Sequence, residues 1–236
     1  MFFDPLWLLF ALPGMLLAGW AQHRVTSTFQ RYAQVATERG LTGSEVAAAI
    51  LRVHAIRDVR IEPVQGMLSD HYDPRTKTLR LSPEVYSGRS VSAAGVAAHE
   101  VGHALQHADG YAWLTMRSAL VPVLGVTSRV AMPALILGLM LASGGSAFGS
   151  LVLWVGLLSF GAMVLFQLVT LPVEFDASHR ALKAIEHGGN VTGRELAGAR
   201  SVLSAAALTY VAAAVSSALQ LAYFVLRSGL LGGRDD

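Results

Sequence analysis

The chain has 236 residues, of which 53% are hydrophobic and only 14% charged, with a formal net charge of +2 and no cysteine. That balance belongs to membrane proteins rather than to soluble domains of this length. The small net charge gives no support to nucleic-acid binding, and the lack of thiols excludes disulfides and cysteine-ligated metals, so a metal site here must use histidines and carboxylates.

The first apolar run, 2–20, reads as a retained membrane helix. No Lys or Arg precedes it, and Trp20-Ala21-Gln22-His23 makes a poor signal-cleavage site. A polar stretch follows over 23–40. The spacing next predicts a helix over 42–54 with Ser44 as its cap. Val59-Arg60-Ile61-Glu62-Pro63-Val64 alternates, as does Thr76-Lys77-Thr78-Leu79-Arg80-Leu81-Ser82, while Asp70-His71-Tyr72-Asp73-Pro74-Arg75 between them is turn-like. A short hairpin or small sheet is therefore expected, and its edge could hold a peptide in extended form.

A tightly packed helix is predicted next, with Ser90 as N-cap and Asp109-Gly110 as its stop. It carries His99-Glu100-Val101-Gly102-His103, the pattern H-E-x-x-H. Positions i and i+4 share a helix face, so both imidazoles can bind one Zn²⁺ at about 2.0–2.1 Å. Glu100 lies beside the first ligand, where a carboxylate can act as general base toward zinc-held water.

Three further spans are expected near 120–142, 147–173 and 201–226. The last two carry no formal charge over 27 and 26 residues, more than the roughly 20 needed to cross a bilayer. Arg129 interrupts the first of the three, which is expected to bend at Pro133. Its guanidinium is expected to pair with a carboxylate or to snorkel. The tail 232–236 is expected to fray.

Eleven of the eighteen basic residues lie between Arg24 and Arg117, and four more are Arg180, Lys183, Arg194 and Arg200. With four spans these two basic segments fall on one side, which the positive-inside rule makes cytoplasmic. The expected organisation is one membrane-embedded domain over 1–236, with catalytic segments 24–117 and 174–200.

A catalytic zinc needs a third protein ligand and an open position. His107 continues the series, but it lies about 12 Å along the helix from His99, too far for the same ion. Asp109 occupies the third-ligand place of the longer metzincin pattern, which needs a glycine where Gln106 stands. The remaining acidic residues lie where the third span exits, in Leu171-Pro172-Val173-Glu174-Phe175-Asp176-Ala177-Ser178. A Glu from a separate downstream helix is the gluzincin arrangement, and Glu174 is the expected ligand. Asp176 lies about 200° round a regular helix from it, so the two cannot share one ion.

The motifs DHYDP at 70–74, SVSAAGVAAHEVGHALQHA at 90–108 and LPVEFDAS at 171–178 resemble those of the YugP-like neutral zinc metallopeptidases. More distantly the chain is similar to the HtpX and Ste24 membrane gluzincins. There the ligand Glu is followed four residues later by Asp; here that place is Ser178. The resemblance implies a bacterial membrane peptidase with one Zn²⁺ per chain, His99, His103 and Glu174 as ligands, and Glu100 as base.

The expectation is thus a mainly α membrane protein with about four transmembrane helices, a small α+β zincin-like catalytic region, a short hairpin and an H-E-x-x-H helix. It would be a multi-pass protein of the bacterial inner membrane. Lipids and peptides or membrane-associated proteins would be its partners, and peptide-bond hydrolysis its reaction. His179, Arg180, His71, Tyr72 and Tyr210 are candidates to stabilise the oxyanion, and Asp176 to orient a ligand imidazole. The alternative is a zinc-binding membrane scaffold or chaperone without proteolytic activity. A small-molecule transporter is a further rival, but no inverted repeat supports it.

Overall fold

The computed structural model describes residues 4–66, 69–188, 191 and 193–229. The start of the first expected span, Phe2 and Phe3, and the tail 232–236 lie outside that set. In chain order the elements are α1 (Pro5–Ala33), α2 (Gly43–Val53), β1 (Arg60–Pro63), β2 (His71–Asp73), β3 (Thr78–Leu81), α3 (Pro83–Tyr86), α4 (Val91–Ala108), α5 (Ala112–Ala142), α6 (Ala147–His187) and α7 (Gly193–Arg227). They form two compact units. One comprises Met1–Trp20, Met116–Thr170 and Tyr210–Asp236, and the other Ala21–Thr115 and Leu171–Thr209.

The first unit draws on α1, α5, α6 and α7, the four helices long and apolar enough to cross a membrane. Each runs past the span expected for it. α1 continues through the polar residues after Trp20 as far as Ala33, so much of the stretch read as polar linker is helix. Large apolar side chains point outward, among them Leu9, Met15, Val126, Met140 and Leu158. In water such surface would be a liability; against lipid chains it costs nothing. The interior is a small cluster of Leu135, Leu153, Leu157, Phe160, Tyr223 and Phe224. α5 and α6 approach closely where they lack side chains. A Cβ added at Gly138 would lie 2.5 Å from the Leu153 Cα, and one at Gly156 would lie 2.7 Å from the Leu135 nitrogen. Small residues allow such contacts in membrane helices, where dispersion replaces the hydrophobic effect. Asp4 ties the helix ends together, accepting from the Leu6 N–H and the Tyr223 hydroxyl and facing the Arg227 Nε at 3.5 Å. Arg129 is exposed on α5 and forms no ion pair among the described residues, so of its two expected roles the carboxylate pairing is not seen there.

The second unit is built around α4. α2 begins with a capping box: the Thr42 hydroxyl accepts from the Glu45 N–H at 3.2 Å, and the Glu45 carboxylate accepts from the Thr42 N–H at 2.8 Å. The cap is therefore Thr42, not Ser44, which falls inside the first turn. The sheet has the order β1-β3-β2, with β1 parallel to β3 and β2 antiparallel to it. Two expectations change here. His71–Asp73, read as part of a turn, is a strand; the expected small sheet is present, but its hairpin joins β2 to β3, and the strands over 59–64 and 76–82 pair in parallel. The turn itself is shorter. Asp73 folds back to accept from the Arg75 N–H and the Thr76 hydroxyl, and Lys77 takes a φ of 48°.

Ser90 caps α4, its hydroxyl accepting from the Ala93 N–H, and Gly110 with φ 63° ends the helix past Asp109. α4 is buried on nearly all sides because alanine and glycine fill most of its first two turns. Val46 and Ile50 from α2, Leu79 and Leu81 from β3, Val85 from α3, Ile185 from α6 and Leu203 from α7 close over it. The motif residues 99–103 therefore sit on a helix held in the middle of a core.

Candidate metal centre

On α4, His99 and His103 stack one turn apart, with ring centroids 4.9 Å apart and planes near perpendicular. Facing them is Glu174 on α6, almost wholly buried. Its Oε2 lies 3.2 Å from the His99 Nε2 and its Oε1 lies 3.7 Å from the His103 Nε2. One donor atom from each of the three lies within 4.8 Å of the others.

The approach of α6 depends on Gly102. A Cβ there would fall 2.3 Å from the Ala177 carbonyl oxygen, so only a bare α-carbon lets this turn of α6 settle on α4. Glu174 lies one turn before Ala177 and is thereby carried to the two rings. The donor set suits zinc: two imidazole nitrogens and one carboxylate, with no thiolate. The spacing suits it as well, because a tetrahedron with arms of about 2.0–2.1 Å has edges of about 3.4 Å.

Glu100 is buried beside this group. Burial pushes its carboxyl up to about 7; the charges of Glu174 and Asp70 add to the shift, while His99 opposes it. The main chain of Tyr72, on β2, acts in the lowering direction as well. Asp70 is raised by burial too, although it accepts from both the N–H and the hydroxyl of Ser82.

The outer contacts differ between the two rings. The His99 Nδ1 lies 3.2 Å from the Ser178 hydroxyl, and the His103 Nδ1 lies 3.0 Å from the Gln106 Oε1. The Gln106 Nε2 donates to the Val173 carbonyl at 2.8 Å and to Asp176 at 2.9 Å. Asp176 accepts in turn from Arg180 Nε at 2.6 Å, and a second guanidinium nitrogen of Arg180 bonds Asp109. Asp176 thus meets His103 only through Gln106. Sequence reasoning passed over Gln106, noting it only as the residue that blocks a metzincin turn. Its place three after His103, on the same helix face, was the available signal. Ser178, a short hydroxyl residue on α6, touches the His99 ring.

His107 stays out of the cluster; its Nδ1 shares a 2.8 Å hydrogen bond with the Tyr72 hydroxyl. Burial, then Asp58 and Asp73, push that hydroxyl up to about 12. Asp109 is exposed and paired with Arg180. Among the oxyanion candidates, His71 and His179 are exposed, and the His71 Nδ1 is engaged with the Ser69 carbonyl. Arg180 is committed to two carboxylates and lies over the Tyr111 ring. Tyr210 belongs to the other unit.

A family model described as "Putative neutral zinc metallopeptidase" matches residues 7–229. A protein of Bacillus subtilis (strain 168) named "Putative membrane protease YugP" is 47% identical over 231 residues, covering 98% of this chain and 99% of its own. No solved structure shows a significant match. With its motif helix, its buried carboxylate and a family match spanning nearly its whole length, the chain belongs to the putative neutral zinc metallopeptidases.

Proposed function

We propose that this protein is a membrane zinc metalloendopeptidase of gluzincin type. His99, His103 and Glu174 would hold one zinc ion per chain, and Glu100 would serve as general base. The convergence of those three side chains, with Glu100 buried next to them, carries the reading. Bound in such a site, zinc lowers the pKa of a coordinated water toward neutrality and polarises a carbonyl. The protein's own contribution is positional. α4 and α6 fix the ligands, and the surrounding core limits access of bulk water. Glu100, titrating near neutrality, is suited to accept a proton and hand it to the leaving amine.

The substrates would be membrane-associated proteins or peptides. β2 is the terminal strand of its sheet, and an extended segment can add to such an edge. Four apolar helices support a multi-pass membrane protein, and the basic-residue count supports a cytoplasmic catalytic side of the inner membrane.

The Glu100→Gln variant tests the reading. It should retain zinc at the parental level while cleavage of a membrane-anchored reporter peptide falls about 10²–10⁴-fold. Cleavage at the parental rate would overturn the role of Glu100. Zinc retention with no cleavage by the parent protein against a broad peptide library would favour a zinc-holding scaffold instead.

A further inference from the structure

Gln106 is fully buried, carries no charge and takes no part in the chemistry proposed above, yet all of its polar capacity is directed. Its Nε2 faces two atoms that can only accept: the Val173 carbonyl oxygen and a carboxylate oxygen of Asp176. The same Asp176 oxygen already accepts from the Arg180 Nε–H at 2.6 Å. Turning the amide over would set its oxygen against both acceptors, with no proton between it and either of them. The amide orientation is therefore determined by its surroundings, and its Oε1 must face His103.

A carbonyl oxygen 3.0 Å from His103 Nδ1 requires a proton on that nitrogen. Nε2 is then the ring atom left to present a lone pair, and it faces Glu174 Oε1 at 3.7 Å. Two electron-rich atoms facing each other in a buried site call for a positive charge between them, which a proton or a metal ion can supply. The other ring is not held in this way. Its Nδ1 neighbour is the Ser178 hydroxyl, which rotates and can donate or accept.

We propose that Gln106 is a positioning residue that locks His103 in the tautomer with Nε2 free for the metal, itself held by the Asp176–Arg180–Asp109 chain. His103 is then the pre-set ligand and His99 the adaptable one. This inference rests on the metal-centre reading above and adds which outer contact sustains it.

The test measures zinc affinity of the full chain in detergent by competition with a chromophoric chelator, with the visible spectrum of the cobalt-substituted protein as a second readout. Loss of an outer partner of a ligating imidazole lowers metal affinity about 10–100-fold. Gln106→Leu should fall in that range with an altered cobalt spectrum, whereas Ser178→Ala should change affinity no more than about threefold. Gln106→Glu sets two carboxylates face to face and should weaken binding as well. Adding Asp176→Asn restores a donor opposite the new carboxylate while the Val173 carbonyl still opposes it, so the double variant should bind zinc more tightly than Gln106→Glu without regaining the parental affinity. A merely structural Gln106 would not respond to this exchange of polarity.

The proposal is overturned if Gln106→Leu binds zinc like the parent, or if the double variant is as weak as Gln106→Glu. Should Gln106→Leu fail to fold, the double variant decides alone. A double variant that binds zinc more tightly than Gln106→Glu supports the proposal, and one that binds no more tightly overturns it. A parent protein that holds zinc equally well after His103→Ala would end the metal-centre reading itself. Tight zinc binding through His103, with Gln106→Leu unchanged, would end only the positioning role.

Discussion

A methyl group added at Gly138 would lie 2.5 Å from the Leu153 Cα; one added at Gly102 would lie 2.3 Å from the Ala177 carbonyl oxygen. Both glycines let two helices come closer than side chains permit, one in each compact unit. At Gly138 the result is apolar contact between α5 and α6, and the outer faces of those helices remain apolar. At Gly102 the same device brings a carboxylate to two imidazoles. The comparison separates packing as an end in itself from packing that builds a site. The unit with the spans buries few side chains and faces outward with leucine, valine and methionine. The unit around α4 encloses Glu100, Glu174 and Glu195 with Gln106 and His103 in a largely aliphatic core. Such enclosure is costly unless every polar atom is matched, and here the contacts from Gln106 and Ser178 supply much of that matching.

The comparison is sharpened most by emptying each unit in turn. Leu81 is fully buried behind α4, whereas Leu158 is exposed on α6. Leu81→Ala should destabilise the protein by about 2–5 kcal/mol, and Leu158→Ala should fall within about 0.5 kcal/mol of the parent. Thermal unfolding in detergent, followed by circular dichroism, would read both. Equal losses would mean that the outward leucines are packed after all. Overfilling the two close approaches is the next test. Gly102→Ala and Gly138→Ala should each cost about 1–3 kcal/mol, but only Gly102→Ala should also weaken zinc binding, measured by chelator competition. Parental zinc affinity in Gly102→Ala would show that the Ala177 contact does not set the position of Glu174. The smallest loss expected in the unit around α4 is at the α2 cap. Thr42→Ala should cost about 1 kcal/mol in the same melting experiment with zinc affinity unchanged.

Much of this was legible in the chain. Charge-free stretches such as 147–173 announce spans, Ser90 and Asp109-Gly110 bound the motif helix, and the i, i+4 spacing aligns His99 with His103. Glu174 could be selected because few acidic residues lie where a span exits. The misses have physical reasons. His71–Asp73 hides as a turn because Asp and Pro dominate the local signal, while its strand state comes from pairing with β3, a partner several residues on. The parallel pairing of β1 with β3 is a tertiary choice that alternation alone does not encode. α1 outruns its apolar run because the membrane limits hydrophobicity, not helicity. Gln106 and Ser178 look like ordinary polar residues until the fold brings α6 against α4, joining positions some 70 residues apart.

The central claim is that one ion is held by His99, His103 and Glu174. Zinc K-edge X-ray absorption with metal quantitation, on the detergent-purified chain and its Glu174→Ala variant, tests it most directly. The account predicts one zinc per chain with nitrogen and oxygen neighbours at about 2.0–2.1 Å and imidazole scattering beyond them. In Glu174→Ala, affinity should fall by more than the roughly 100-fold upper range for outer partners. A parent protein with no imidazole-bound zinc, or a variant that holds the metal as tightly as the parent, would contradict it.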